Sequence, residues 1–193
     1  MARRNTYHGS ASPSDGAAFT LIVDTREQLP YAFDGICPTV RRALAAGDYS
    51  IVGHDLPTPG GGFVIERKSL NDLFGTVIGA RERFVRELEK LRLYAYAAIL
   101  VEGSLRDVLT YDSSLAYSRF LLSRGHEPTE ENLRGVALSR ARSVLNSLNT
   151  WQIEYGVRVL FVDRDRDLCR AQVFRLAERF WRMKHEKNEA PAA

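Results

Sequence analysis

The sequence predicts an α/β protein: a mixed sheet with helices on both of its faces. Three observations carry that reading. Short apolar runs rich in β-branched and aromatic residues recur at Phe19–Val23, Tyr49–Val52, Phe63–Lys68, Ala97–Glu102 and Val157–Val162. Between and after them lie stretches whose apolar residues recur every three or four positions, the spacing of one helix face. Two of the runs, Tyr49–Val52 and Phe63–Lys68, are joined by Gly53–Gly62, whose two prolines and four glycines read as a hairpin loop. With 193 residues, 45% of them apolar, the chain is one domain of ordinary size plus tails.

Taken in order, residues 1–18 are rich in Ser, Gly, Ala and Asp and read as a disordered tail. Phe19–Val23 is a buried strand ending at Asp24, and Gln28-Leu29-Pro30 forces a loop. A weak strand is expected around Thr39–Ala45, then a stronger one at Tyr49–Val52. The glycines of Gly53–Gly62 are followed by no Gly-Lys-Ser/Thr, which excludes a nucleotide phosphate loop. Ser69–Tyr94 is helical with a break near Gly75 or Gly79, and Phe84, Leu88 and Leu91 form its core face. Residues 110–132 are polar and aromatic without a clean period and read as an insertion of loop or short helix. Ala137, Ala141, Val144, Leu145, Leu148 and Trp151 mark a core helix. Asp163, Asp165 and Asp167 alternate as in a calcium loop, but Leu168 and Phe174 stand where that loop needs Gly and Glu. These acids suit the start of a final helix, where carboxylates meet the positive end of the dipole. That helix is expected to run to about Lys184 before a tail over 187–193.

The net charge of +3 hides a bias of 23 arginines to 4 lysines. A GC-rich genome produces such a bias, and arginine's planar fork also suits phosphate recognition, so composition does not separate the two causes. Cys37 and Cys169 have no metal-ligand spacing and read as reduced thiols. The four histidines, His8, His54, His126 and His185, are scattered, so a histidine metal site is not expected. No segment reaches membrane-spanning length, and Arg3-Arg4 leads into no apolar stretch. The sequence therefore predicts a soluble cytoplasmic protein without a membrane partner.

Gly47-Asp48 and Glu66-Arg67-Lys68 carry the chemistry. Successive side chains on a strand alternate faces, so Glu66 and Lys68 share one face with Val64 while Arg67 points the other way. If Asp48 comes alongside, two carboxylates and an ammonium meet at the sheet edge. Metal-dependent phosphodiester hydrolysis uses that set: hard oxygens hold a divalent ion, and a lysine orients or deprotonates the attacking water. Each part also has a plainer reading. Glu-x-Lys is common on exposed strands, and Gly-Asp favours turns. Ser69-Leu70-Asn71-Asp72 fits a helix capping box, a role for Asp72 that can coexist with one in the site.

The order Gly-Asp, spacer, Glu-Arg-Lys, three residues, Asp resembles the signature of XPF-type structure-specific nucleases, the ERCC-four nuclease domain of the restriction-endonuclease-like superfamily. Val23-Asp24-Thr25-Arg26-Glu27 resembles the segment closing that family's first strand, and Ile99-Leu100-Val101-Glu102-Gly103 a later core strand. Arg83-Phe84 with Glu87 and Leu91 is similar to the helix after the catalytic strand, where the family often has Gln for Glu87. Tyr155-Gly156-Val157 and Val159-Leu160-Phe161 resemble a further strand of that family, with Arg158 where the family often has Pro. The resemblance covers roughly residues 19–183 and, with the tails removed, sets the nuclease domain at 19–186. It implies a three-layer sandwich with about five or six strands.

It also implies Mg²⁺ or Mn²⁺ on Asp48 and Glu66, with the Arg67 carbonyl, and Lys68 positioning the water. Asp24 would reach the same ion or hold one of its ligands. Arg26 and Glu27 would brace the site, with Arg26 also available to the scissile phosphate. Arg67 would anchor neighbouring structure, and Arg83 would contact DNA. The implied substrate is branched, flap or junction DNA. Tandem helix-hairpin-helix motifs, which usually select junctions in this family, have no room after about residue 186, so a partner protein is expected to supply that choice. Compact members of this kind suggest a bacterial or phage-encoded protein. The other readings are a non-catalytic DNA-binding scaffold subunit and a restriction-type endonuclease; the presence of Asp48, Glu66, Lys68 and Asp72 weighs against the scaffold.

A homodimer is expected from the last helix. Val173, Leu176, Ala177 and Phe180 supply one apolar face, and Phe174 and Trp181 form a second stripe. A helix capping a monomer needs one such face. The second is expected to pack on another copy, as the resemblance also implies, or on the 137–151 helix of the same chain.

Overall fold

A computed structural model describes residues 17–189; the tail expectations for 1–16 and 190–193 lie outside them. The described residues form six strands, β1 Leu21–Val23, β2 Thr39–Arg41, β3 Tyr49–Ile51, β4 Phe63–Ser69, β5 Tyr96–Glu102 and β6 Arg158–Phe161. Six helices accompany them: α1 Leu70–Gly79, α2 Arg81–Leu91, α3 Leu105–Thr110, α4 Leu115–Ser123, α5 Glu130–Tyr155 and α6 Arg166–Glu189. One sheet runs β2-β1-β3-β4-β5-β6. Its β1–β3 and β3–β4 pairs are antiparallel, while β1–β2, β4–β5 and β5–β6 are parallel. The sheet is mixed, as expected, and β4 joins its two kinds of pairing.

Alternation along β4 and β5 divides the core in two. Val64, Ile99 and Val101 face α1, α2 and α5, where they meet Leu73, Leu88, Val144 and Trp151. Phe63, Ile65 and Leu100 face the other way and meet Val173, Ala177 and Phe180 of α6. Each such buried side chain contributes about 1.5–3 kcal/mol of transfer free energy, which is what holds the three layers together. Among the described residues no helix is long and apolar enough to cross a membrane.

Several boundaries differ from expectation for identifiable reasons. The helical break falls at Ala80 (φ −134°), leaving Gly75 inside α1. Only Thr39–Arg41 of the weak strand pairs, as an exposed edge. The 110–132 insertion contains α4, and Thr129 caps α5 early enough to absorb its last residues. α3 follows a complete capping box at Ser104 and Asp107, a signal present in the sequence. α6 continues past Lys184 to Glu189. The second stripe of α6 is met from within the chain, though not by α5: Phe19, expected inside β1, lies ahead of it and stacks on Phe174 at 5.8 Å and Trp181 at 6.3 Å.

Candidate active site

β3 and β4 pair with Tyr49 opposite Ile65, and one further step in that register sets Asp48 opposite Glu66. The hydrogen bonds agree. The Asp48 N–H donates to the Ile65 carbonyl at 2.8 Å, and the Arg67 N–H donates to Asp48 Oδ2 at 2.7 Å. On the other side the Asp24 N–H donates to the Asp48 carbonyl at 2.8 Å. Three carboxylates therefore occupy one row across β1, β3 and β4. Gly47 makes the approach possible. It has φ +68°, and a Cβ there would lie 2.4 Å from Val64 Cγ2 and 3.0 Å from the Ile65 carbonyl oxygen.

A cleft of about 250 Å³ opens over this row, lined by Asp48, Glu66 and Lys68 together with Asp24, Arg26, Arg83, Phe84 and Glu87. Lys68 Nζ pairs with Glu66 Oε1 at 2.9 Å and lies 4.6 Å from the centre of the Phe84 ring. The ammonium is thus fixed from two sides, by charge and by the ring's electron-rich face.

The other expected site residues take different positions. Both Asp24 oxygens are occupied: Oδ1 accepts from the Arg26 N–H and Nε, and Oδ2 from Arg26 Nη2 and the Leu44 N–H. Asp24 is built as a brace for the loop that carries Arg26. Arg26 also donates to the Leu44 carbonyl at 2.8 Å, yet its side chain remains exposed at the cleft. Glu27 and Arg67 are held on the opposite side of the sheet. Arg67 binds Glu27 at 3.1 Å and Glu102 at 2.7 Å, and Glu102 also accepts from Tyr31 Oη and Arg166, each at 2.7 Å. Asp72 is an exposed cap of α1: its N–H donates to Ser69 Oγ at 3.1 Å, and it does not line the cleft.

Sequence reasoning missed two acids. Glu87, noted only for its place in the helix after the catalytic strand, lines the cleft and accepts from the Gly47 N–H at 3.1 Å. Glu102, read as the end of a strand, is the hub that joins Arg67 to α6. No local pattern marks either role, because both partners lie far away in sequence.

A model of the ERCC4 domain matches residues 23–171 of the chain. The chain belongs to the ERCC4 domain family. Its fold is that of XPF from Aeropyrum pernix, at 18% identity and a TM-score of 0.54, with 90% of this chain and 75% of that one covered. XPF from Aeropyrum pernix in complex with DNA gives 18% identity, a TM-score of 0.51, and coverage of 91% and 76%. No curated protein matches the sequence. The restriction-endonuclease-like sandwich expected from the sequence is the fold observed.

In this ERCC4 domain the paired acids strain against their surroundings. Burial, then the neighbouring Glu66 charge, push the Asp48 carboxyl up to about 8, against the pull of the Arg67 N–H. Burial also pushes Glu66 up, opposed by the charge and hydrogen bond of Lys68. Asp24 differs: burial raises it, but its bonds from Arg26 and Leu44 together win and hold it below the usual carboxylate range.

A folded chain that holds a proton its unfolded form releases loses stability as pH rises. Without divalent ions, stability should therefore fall between about pH 4, near the ordinary Asp value, and about pH 8. Asp48→Asn keeps an acceptor for the Arg67 N–H while removing the charge. It should exceed wild type by on the order of 2 kcal/mol at the upper end of that window, and the gap should close toward the lower end. Urea melts in EDTA measure this, and a variant no more stable at high pH would mean the pair is not strained.

Lys68→Arg should remain badly impaired. The wider guanidinium must fit between Glu66 and Phe84, stays protonated, and places its charge elsewhere. Turnover should drop roughly a hundredfold, the scale of a lost acid–base group, with the Mg²⁺-induced thermal shift retained. Near-normal turnover would mean that the residue supplies charge alone.

Proposed function

We propose that this ERCC4 domain is a metal-dependent DNA endonuclease that hydrolyses phosphodiester bonds in branched, flap or junction DNA. The observation that carries the reading is Asp48 set opposite Glu66, with Lys68 pinned beside them in a cleft that Arg26 and Arg83 also line. Among the described residues no three acid, imidazole or thiol side chains converge as a metal cluster. Two carboxylates suit Mg²⁺ or Mn²⁺ nonetheless, since such ions keep several waters and share substrate phosphate oxygens. Among the described residues, Asp48 Oδ1 and Glu66 Oε2 have no donor, and so are available as ligands. When bound, the ion would lower the pKa of a water and neutralise charge on phosphorus.

The chain's own groups would do the rest. Lys68, held as an ammonium beside Glu66, orients the water and adds positive charge next to the phosphate. Arg26 and Arg83 hold phosphate oxygens on either side. Asp24 fixes Arg26, and Arg67, clamped by Glu27 and Glu102, fixes the backbone that presents its N–H to Asp48. Water adds to phosphorus, the bond to one ester oxygen breaks, and the proton the water releases passes through solvent to that departing oxygen.

Cleavage of flap, fork, splayed-arm and plain duplex DNA with Mg²⁺, against EDTA, tests this. Cutting confined to branched forms supports the reading, a sequence-dependent cut in plain duplex points to a restriction-type enzyme, and no cutting points to a scaffold subunit. A partner protein that sharpens junction choice is proposed with it. Self-association is a further proposal. Phe19 already covers much of the second α6 stripe, so its support on this chain is the apolar exposure left at Met183 and at Ile153, the latter 84% exposed. Sedimentation at micromolar concentration tests it, and a wild-type monomer removes it.

A further inference from the structure

The 110–132 insertion is built unlike the rest of the molecule. α4 has nine residues, and none of its described side chains is buried. So short a helix is marginal alone, and a helix normally persists by burying an apolar face. α4 does the opposite: Leu115 and Leu122 are exposed, and Phe120 is 52% exposed. Tyr117 stacks beside Phe120 at 6.4 Å between ring centres, and Arg124 lies 5.6 Å over the Phe120 ring. Beneath α4 runs a groove of about 420 Å³ lined by Phe74, Ile78, Tyr111, Leu115, Arg119 and Arg140, with Asp112 among its polar residues. The Asp112 carboxylate is engaged by the Ser114 N–H and hydroxyl, and Arg140 donates to the Ser113 carbonyl.

Shared lining residues link this groove to the reaction cleft. A shallow channel lined by Arg81, Arg83 and Arg86, with Glu82, shares Ala80 and Arg83 with the cleft. It shares Ile78 and Gly79 with the groove. None of Arg81, Arg83, Arg86 or Arg119 forms an ion pair with a described residue.

We propose that the groove between α1 and the 110–132 insertion binds the unpaired strand of a branched DNA substrate, with α4 as the platform on which its bases stack. Free arginines beside exposed aromatic and apolar side chains match a single strand, which offers phosphates and open base faces together. A duplex hides those faces and offers mainly phosphates, for which Tyr111, Leu115 and Ile78 in the groove, and the exposed Phe120 beside Arg119 on α4, would be of no use. A strand leaving Asp48 and Glu66 past Arg83 arrives at this groove. The inference rests on the nuclease reading and adds to it the side from which the unpaired arm departs.

Fluorescence anisotropy without divalent ions separates the two, because it needs no cutting. Labelled oligo(dT), a splayed-arm duplex and a plain duplex are titrated with wild type and with Arg119→Ala/Phe120→Ala, both exposed positions outside the catalytic cleft. One lost stacking contact and one lost charge should weaken oligo(dT) and splayed-arm binding about tenfold or more, and plain duplex binding by less than about twofold. Equal loss on plain duplex, or unchanged oligo(dT) binding, overturns the proposal. On the unaltered protein, 5-iodouracil in the unpaired arm should photocrosslink within residues 110–124; crosslinks found only elsewhere overturn it independently. Arm binding at the groove by a chain that cuts no substrate would uphold this site and remove the nuclease reading.

Discussion

Asp48→Asn and Glu66→Gln should each reduce DNA cleavage by roughly a thousandfold or more, on the scale of losing a preorganised charge at the reaction centre. Both changes preserve shape. The amide introduced by Asp48→Asn retains an oxygen for the Arg67 N–H, and the amide introduced by Glu66→Gln retains one for Lys68. What each removes is a negative charge from a site with two carboxylates to offer an ion. DNA affinity should stay equal or tighten, because phosphate contacts by arginines dominate it and each variant lowers the repulsion in the cleft. Cleavage kinetics paired with binding in EDTA measure both halves. Full activity in either variant would remove the proposed site. Since Asp48→Asn is expected to be more stable than wild type near pH 8, its loss of cutting could not be assigned to unfolding.

Arg67→Met should be the most destabilising single change near the site, by about 3–5 kcal/mol, the usual result of removing one partner from a buried ion pair. Glu27 would be left without a cation and Glu102 with Arg166 alone; both side chains are at most 10% exposed. At the per-kcal shift of a domain this size, the melting temperature should fall by on the order of 10 °C. The chemistry gives a second check. Unpaired buried carboxyls bind protons more readily, so the deficit should narrow as pH is lowered and they become neutral. Scanning calorimetry at neutral and acidic pH tests this, and a deficit independent of pH would mean that lost packing rather than stranded charge is responsible.

Much of this architecture was legible in the chain because it is written in local terms. Alternation at Val64, Glu66 and Lys68 located the cleft-lining face of β4, and the glycines and prolines of Gly53–Gly62 located the hairpin that brings Asp48 to it. Ser69 and Asp72 announced the start of α1. What was not legible depends on contacts between distant segments. Glu87 meets the Gly47 N–H across forty positions, and Glu102 gathers Tyr31, Arg67 and Arg166 from three separate segments. Periodicity likewise identified a second apolar stripe on α6 but had no means of saying that Phe19, near the other end of the chain, would cover it. The resemblance offered Asp24 as a ligand or as a support for one, and its four hydrogen bonds make it a brace for Arg26.

The hairpin between β3 and β4 has a consequence for how such a site can vary. Antiparallel pairing decides which residue faces which; it does not decide how many residues the turn contains. Residues 56–60 are exposed and no hydrogen bond among the described residues joins them to Asp48 or Glu66, so the turn can grow or shrink there while the two carboxylates stay opposite each other. A single residue inserted within Tyr49–Ile51 or Phe63–Ile65 would instead swing one acid to the far side of the sheet. The distance in sequence between Asp48 and Glu66 is therefore free, and the parity of the strands between them is not.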